Sequence, residues 1–135
     1  YYGCEPTPEF AMHANSILDN NILNCYIEDY NSNLSFDLIT LFHVFEHLIN
    51  PFESILKLIN LLSNTGYLYI VVPSTIDFNK RIDSDERFMI QHLYYYSEIF
   101  MNKLAESVKL ELIEAKENIS IRGKNDSHYL FRLSP

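Results

Sequence analysis

FDLITLFHVFEHLINP, residues 36–51, sets two histidines and a glutamate directly after an apolar run. Residues 36–42 are apolar except for Asp37 and Thr40, which suits a central parallel strand buried on both faces. A helix start follows: Asn50 as N-cap, Pro51 at the first helical position and Glu53 three residues after the cap. Phe52, Ile55, Leu56, Ile59 and Leu62 recur at helical spacing and predict the stripe that this helix buries. SNTG, residues 63–66, ends it, with Gly66 suited to a left-handed stop. YLYIVVP, residues 67–73, reads as a second buried strand closed by Pro73. Strand, helix and strand in this order make a βαβ unit, which requires parallel pairing and a right-handed crossover.

Upstream, YYGCEP (1–6) reads as the tail of a strand. Thr7 as N-cap, Pro8 at the first helical position and Glu9 in the first turn open a helix whose modest apolar face is Phe10, Ala11 and Ala14. ILNCYI (22–27) is a short strand and EDYNSNLS a polar loop. Downstream, residues 74–96 are too long for a simple connection, and such stretches are usually functional or disordered. Ser97 caps a last helix, with Phe100, Met101, Leu104, Ala105 and Val108 on one face. LELIEAKENISIR and SHYLFRLS, joined by GKND, predict an antiparallel hairpin of roughly 110–121 with 128–133. The expected fold is α/β: parallel strands near 22–27, 36–42 and 67–72, edged by the hairpin.

The chain has 135 residues, which bounds it to a single domain, 1–135. Its 47% hydrophobic content supports a real core, and its net charge of −8 argues against nucleic acid or an anionic membrane surface as main partner. Cys4 and Cys25 share no metal-ligand spacing and read as reduced thiols in a cytoplasmic protein. No apolar run is long enough to span a bilayer, and no stretch of these residues reads as a signal peptide. The chain begins Tyr-Tyr without Met, as if cut at its N-terminus.

GCEPTPEFA, FDLITLFHVFEHLINP, GYLYIVVP and HLYYYS, in that order, resemble class I S-adenosylmethionine-dependent methyltransferases, over nearly the whole chain. The resemblance implies a Rossmann-like sheet whose last strand runs antiparallel, S-adenosylmethionine as cofactor, and a small-molecule acceptor such as a sugar, nucleotide-sugar or lipid-linked compound. It implies that Glu5, at a strand's carboxyl end, holds the cofactor ribose hydroxyls. It places Tyr26, Ile27, Glu28 and Asp29 around the adenine, although the family often has an acid where Tyr26 stands. It places residues 43–47, with His43 and His47, beside the methyl-donor sulfonium.

The family's glycine-rich loop after the first strand has no counterpart among Gly3, Gly66 and Gly123. The chain therefore reads as the C-terminal portion of a methyltransferase. Residues 1–135 alone are expected to bind cofactor negligibly, to be inactive, and either to self-associate through exposed sheet edges or to rearrange so that the 22–27 and N-terminal segments pack differently from the family. A non-catalytic remnant or interaction module is the alternative.

H-x-x-E-H, residues 43–47, also spells the inverted zinc-peptidase signature. That reading needs His43 and His47 on one continuous helix and a third ligand. A strand runs into His43 and a new helix starts at Asn50-Pro51, so no metal site is expected and a site-lining turn is preferred; packing or capping by the histidines is the plainer alternative. His92, just before the last helix, is a candidate general base with His47, because deprotonation helps when the acceptor is a hydroxyl or amine. The plainer alternative is a surface ring packed on Tyr94–Tyr96. His13 and His128 have no supporting context. The pairs Glu28-Asp29 and Asp85-Glu86 read as solvated loop charges.

Overall fold

The computed structural model describes residues 1–19, 21–75, 91–119 and 125–134. The chain divides into two compact units, Tyr1–Leu34 and Ser35–Pro135.

The first unit contains β1 (Gly3–Cys4), α1 (Pro8–Ile17) and β2 (Ile22–Leu23). β1 and β2 pair in parallel, Gly3 with Ile22 and Cys4 with Leu23. The expected strand at 22–27 thus stops at Leu23, and it pairs with β1 rather than joining the sheet of residue 36 onward. The Asn24 side chain turns the chain away by donating to the carbonyls of Glu5 and Pro6, both at 2.9 Å. Asn15 fastens α1 to β2: its amide donates to Ile22 O at 2.7 Å, and its carbonyl accepts from Ile22 N at 2.8 Å. α1 starts at Pro8 as expected, but the Thr7 side chain caps nothing. Ala11 is buried, whereas Phe10, expected on the apolar face, is exposed.

The second unit contains β3 (Phe36–Phe42), a 3-10 turn (Phe45–His47), α2 (Pro51–Leu61), β4 (Leu62–Pro73), α3 (Glu98–Ser107), β5 (Leu110–Ile119) and β6 (Asn125–Leu133). The sheet order is β3-β4-β6-β5. β3 and β4 are parallel, as the βαβ reading requires, and β6 lies antiparallel to both β4 and β5. Leu68, Ile70 and Val72 of β4, Tyr129 and Phe131 of β6, and Met101 of α3 are buried. The Ser97 cap is realised, its hydroxyl accepting from Phe100 N at 3.3 Å.

Three expectations shift. β3 is buried at Leu41 alone; Leu38 and Phe42 are 58% and 56% exposed, because β3 is an edge strand of this sheet. α2 buries Ser54, Ile55 and Leu58, with Leu62 beyond its end, while Phe52 and Leu56 are exposed. Its apolar residues populate two adjacent faces, and Ser54 takes the inner one by donating its hydroxyl to Asn50 O at 3.1 Å. Gly66 does not end the helix: Leu62 turns extended at φ −74°, ψ 142°, and β4 begins there. A Cβ on Gly66 would stand 2.7 Å from Phe36 O and 3.1 Å from Ser63 O. Glycine thus serves close backbone approach, where the β3–β4 register shifts between Phe36 and Leu38.

Candidate functional site

In open parallel α/β sheets, ligands bind beyond the carboxyl ends of the strands. In the second unit those ends are Phe42 of β3 and Pro73 of β4. His43 continues the β3 ladder by one bond, its N–H donating to Val71 O at 2.9 Å. It then turns left-handed, φ 51°. Side chains other than glycine rarely adopt this conformation, and it is held where the surroundings determine it.

The turn after His43 aims its side chains back over the strand ends. His43 Nδ1 lies 3.2 Å from Glu46 Oε1, and His43 Nε2 lies 3.5 Å from Asp126 Oδ2. Asp126 arrives from β6, where it faces Pro73 across the antiparallel ladder. Glu46 is fully buried. Its Oε1 is also 3.8 Å from His47 Nε2, and its Oε2 has no hydrogen-bond partner among the described residues. Buried carboxylate oxygens are rarely left without a partner, because desolvation is then uncompensated.

Residues 91–96 strap this turn. Leu93 N and Tyr94 N donate to Glu46 O at 2.9 and 3.3 Å. Tyr94 hydroxyl donates to Ile49 O at 3.1 Å, and Tyr96 hydroxyl to Phe45 O at 3.3 Å. The Tyr96 ring lies 4.7 Å from that of Phe45. Burial, followed by the nearness of Tyr94 and Glu46, raises the Tyr96 phenol well above its ordinary value. The strap delivers His92: its ring stands 4.9 Å from His47, edge to face, and 5.8 Å from Tyr95. His47 Nδ1–H donates to Gln91 O at 2.8 Å. A carbonyl only accepts, so this bond places the proton on Nδ1 and leaves Nε2 of a neutral ring as the basic atom.

His43, His47 and His92 are thus brought together, with Glu46 at the centre. The histidines do not share a helix, since only Phe45–His47 is helical and as a single 3-10 turn. Asp126 escaped sequence reading because it looked like a turn residue of GKND; only the β4–β6 register reveals its place. His128, read as lacking context, bonds Tyr69 hydroxyl through Nδ1 at 2.6 Å. Residues 76–90, including Asp85-Glu86, lie outside the described residues.

In the first unit, Glu5 follows β1 directly, as expected for a carboxylate at a strand's end. Its Oε1 accepts from Thr7 N at 2.8 Å, which fixes the side chain, and its own N–H donates to Leu23 O at 3.0 Å. Ile27 and Glu28 lie in a turn tied by Asp29 N to Tyr26 O and Tyr30 N to Ile27 O. Cys4 and Cys25 form no disulfide. Burial, then the neighbouring Cys25, Glu28 and Glu5, pushes the Cys4 thiol up to about 11.

A methyltransferase-domain family matches residues 1–115. No curated protein matches. Among solved structures, an S-adenosylmethionine-dependent methyltransferase from Clostridium acetobutylicum is 15% identical with a TM-score of 0.75, over 99% of this chain and 75% of that one. The Burkholderia thailandensis 1,6-didemethyltoxoflavin N1-methyltransferase, with bound 1,6-didemethyltoxoflavin and S-adenosylhomocysteine, is 14% identical with a TM-score of 0.73, over 98% of this chain and 60% of that one. A chain of the complex between the Haloferax volcanii Trm112 methyltransferase activator and a protein assigned as its methyltransferase is 13% identical with a TM-score of 0.74, over 99% of this chain and 71% of that one. The chain thus spans 60 to 75% of the length of these three structures. The parallel β3–β4 pair, the antiparallel β5–β6 hairpin and the family match agree: the chain belongs to the class I S-adenosylmethionine-dependent methyltransferase family. No helix among the described residues is long and apolar enough to cross a membrane.

Proposed function

We propose that the protein carrying this chain transfers a methyl group from S-adenosylmethionine to a hydroxyl or amine of a small-molecule acceptor. The observation that carries the reading is the cluster past the end of β3, where a left-handed His43, a buried Glu46 and the His47–His92 pair converge. Solved relatives bound to S-adenosylhomocysteine together with a small-molecule acceptor or an acceptor analogue support it. In this reading Glu5 accepts from the ribose hydroxyls and Ile27 and Glu28 flank the adenine. His43 lines the methyl-donor end. Nε2 of His47, or His92 beside it, takes the proton that the acceptor loses. Methyl transfer is a displacement, so positioning supplies much of the rate and the base a smaller share, about 10²–10⁴-fold. A sugar or lipid-linked acceptor suits the same chemistry.

The test is calorimetric titration of S-adenosylhomocysteine into the full-length protein and into residues 1–135. Saturable binding by the full-length protein, weakened by Glu5→Ala, is expected. An affinity unchanged by Glu5→Ala removes Glu5 from the site, and no binding by the full-length protein overturns the reading.

A further inference from the structure

Glu46, His47 and His92 offer one oxygen and two imidazole nitrogens, all within 4.8 Å of one another. Two ligands at about 2.1 Å from a common ion stand at most about 4.2 Å apart. A small inward swing of one imidazole ring therefore closes the set. His47 is already in the posture of a metal ligand. Its Nδ1–H is engaged by Gln91 O, so Nε2 presents a lone pair, 3.8 Å from Glu46 Oε1. Histidine ligands are usually oriented in this way by a bond from the other ring nitrogen. Independently, Glu46 is fully buried with Oε2 lacking any partner among the described residues. The oxygen facing His47 is Oε1, which also lies 3.2 Å from His43 Nδ1, and a cation held by this carboxylate would offset the cost of burying its charge.

We propose that Glu46, His47 and His92 form a binding site for one divalent first-row transition-metal ion, with Asp126 and His43 fixing the orientation of Glu46 through the contacts at 3.5 and 3.2 Å. Two imidazoles and one carboxylate favour such an ion over Mg²⁺ or Ca²⁺, which prefer all-oxygen shells. Three protein ligands would leave positions open for water or a bound molecule. An acceptor hydroxyl taken there would lose its proton more readily. The base role proposed above belongs to the metal-free site, since Nε2 of His47 cannot hold a metal and accept a proton at once. The proposal rests on the geometry of this cluster and stands whether or not the methyl-transfer reading holds.

The test uses Co²⁺ as a spectroscopic probe with the purified chain, followed by competition with Zn²⁺, Mn²⁺ and Mg²⁺. Expected is one Co²⁺ per chain with visible d–d absorption, displaced by Zn²⁺ and not by millimolar Mg²⁺. His47→Ala and His92→Ala should each weaken binding about tenfold or more, the scale on which changes around a metal site act. His13→Ala, on the exposed side of α1, should leave it unchanged. Because Glu46 is buried, Glu46→Gln is checked by circular dichroism before its loss of binding is counted, and the two histidine variants carry the test if it misfolds. Absence of a saturable Co²⁺ spectrum, displacement by Mg²⁺, or full binding by the His47→Ala/His92→Ala double variant overturns the proposal.

Discussion

Asp126 Oδ2 stands 3.5 Å from Nε2 of His43, although 83 residues separate them and no sequence signal links them. The contact joins the start of β6 to the residue that leaves β3. Asp126 is nearly buried and His43 about half exposed, so the pair is partly screened. Asp126→Ala should lower stability by about 1 kcal/mol and release the His43 ring. Denaturant unfolding and the nuclear magnetic resonance shifts of the imidazole would report both. A variant with wild-type midpoint and unmoved His43 resonances would show that the contact orders nothing.

Gly66→Ala should destabilise the second unit by about 1–3 kcal/mol, since the new methyl meets backbone oxygens that cannot swing away. Thermal melts measure it, and a melting temperature at or above that of the parent would refute the close-approach account.

Alkali should loosen the strap over the 45–47 turn. The folded state holds the Tyr96 phenol neutral above its ordinary 10.0, so its contribution is intact below pH 10 and falls as pH rises beyond. Tyr96→Phe should cost about 1 kcal/mol near neutrality, through the lost bond to Phe45 O. It should also flatten the decline above pH 10, and an equally steep decline in that variant would place the titrating group elsewhere.

Cys4 should alkylate slowly at pH 8. With its thiol pushed to about 11 from 9.0, the thiolate fraction falls by about a hundredfold. The reaction rate should keep climbing towards pH 11, and a plateau near pH 9 would contradict the burial argument.

β3 is the edge on which a second chain would add. Its outer side is unpaired among the described strands, and Leu38 and Phe42 are exposed beside it. Purified residues 1–135 should therefore associate at high concentration. Leu38→Lys should reduce the association, as light scattering after size exclusion would show. An association unaffected by Leu38→Lys would point away from this edge.

The βαβ unit, the Ser97 cap and the hairpin were legible in the sequence because each rests on a local signal: an apolar run, a capping residue, or alternation about a turn. What stayed hidden depends on neighbours. Leu38 and Phe42 read as buried because an apolar strand looks the same at a sheet's edge as at its centre. Phe52 and Leu56 outscored Ser54 on hydropathy, although a hydroxyl that bonds its own helix backbone can occupy the inner face. ILNCYI looked like a six-residue strand until the Asn24 amide, bonding back to Glu5 and Pro6, cut it to two. At the site, His43, Glu46, His47 and His92 stood out by residue type and order. Glu46's isolation and Asp126's approach required the register of β6 against β4.

The order β3-β4-β6-β5 means that β6, which follows the other three in the chain, lies inside the sheet and not at its rim. As the chain emerges from synthesis, β5 has no neighbour to join and β4 keeps one side open until residues 125–133 arrive and slot between them. Closure of this sheet is thus a late event governed by contacts distant in sequence, of the kind that slows folding. Until then the nascent chain carries unpaired strand edges that a chaperone would need to shield.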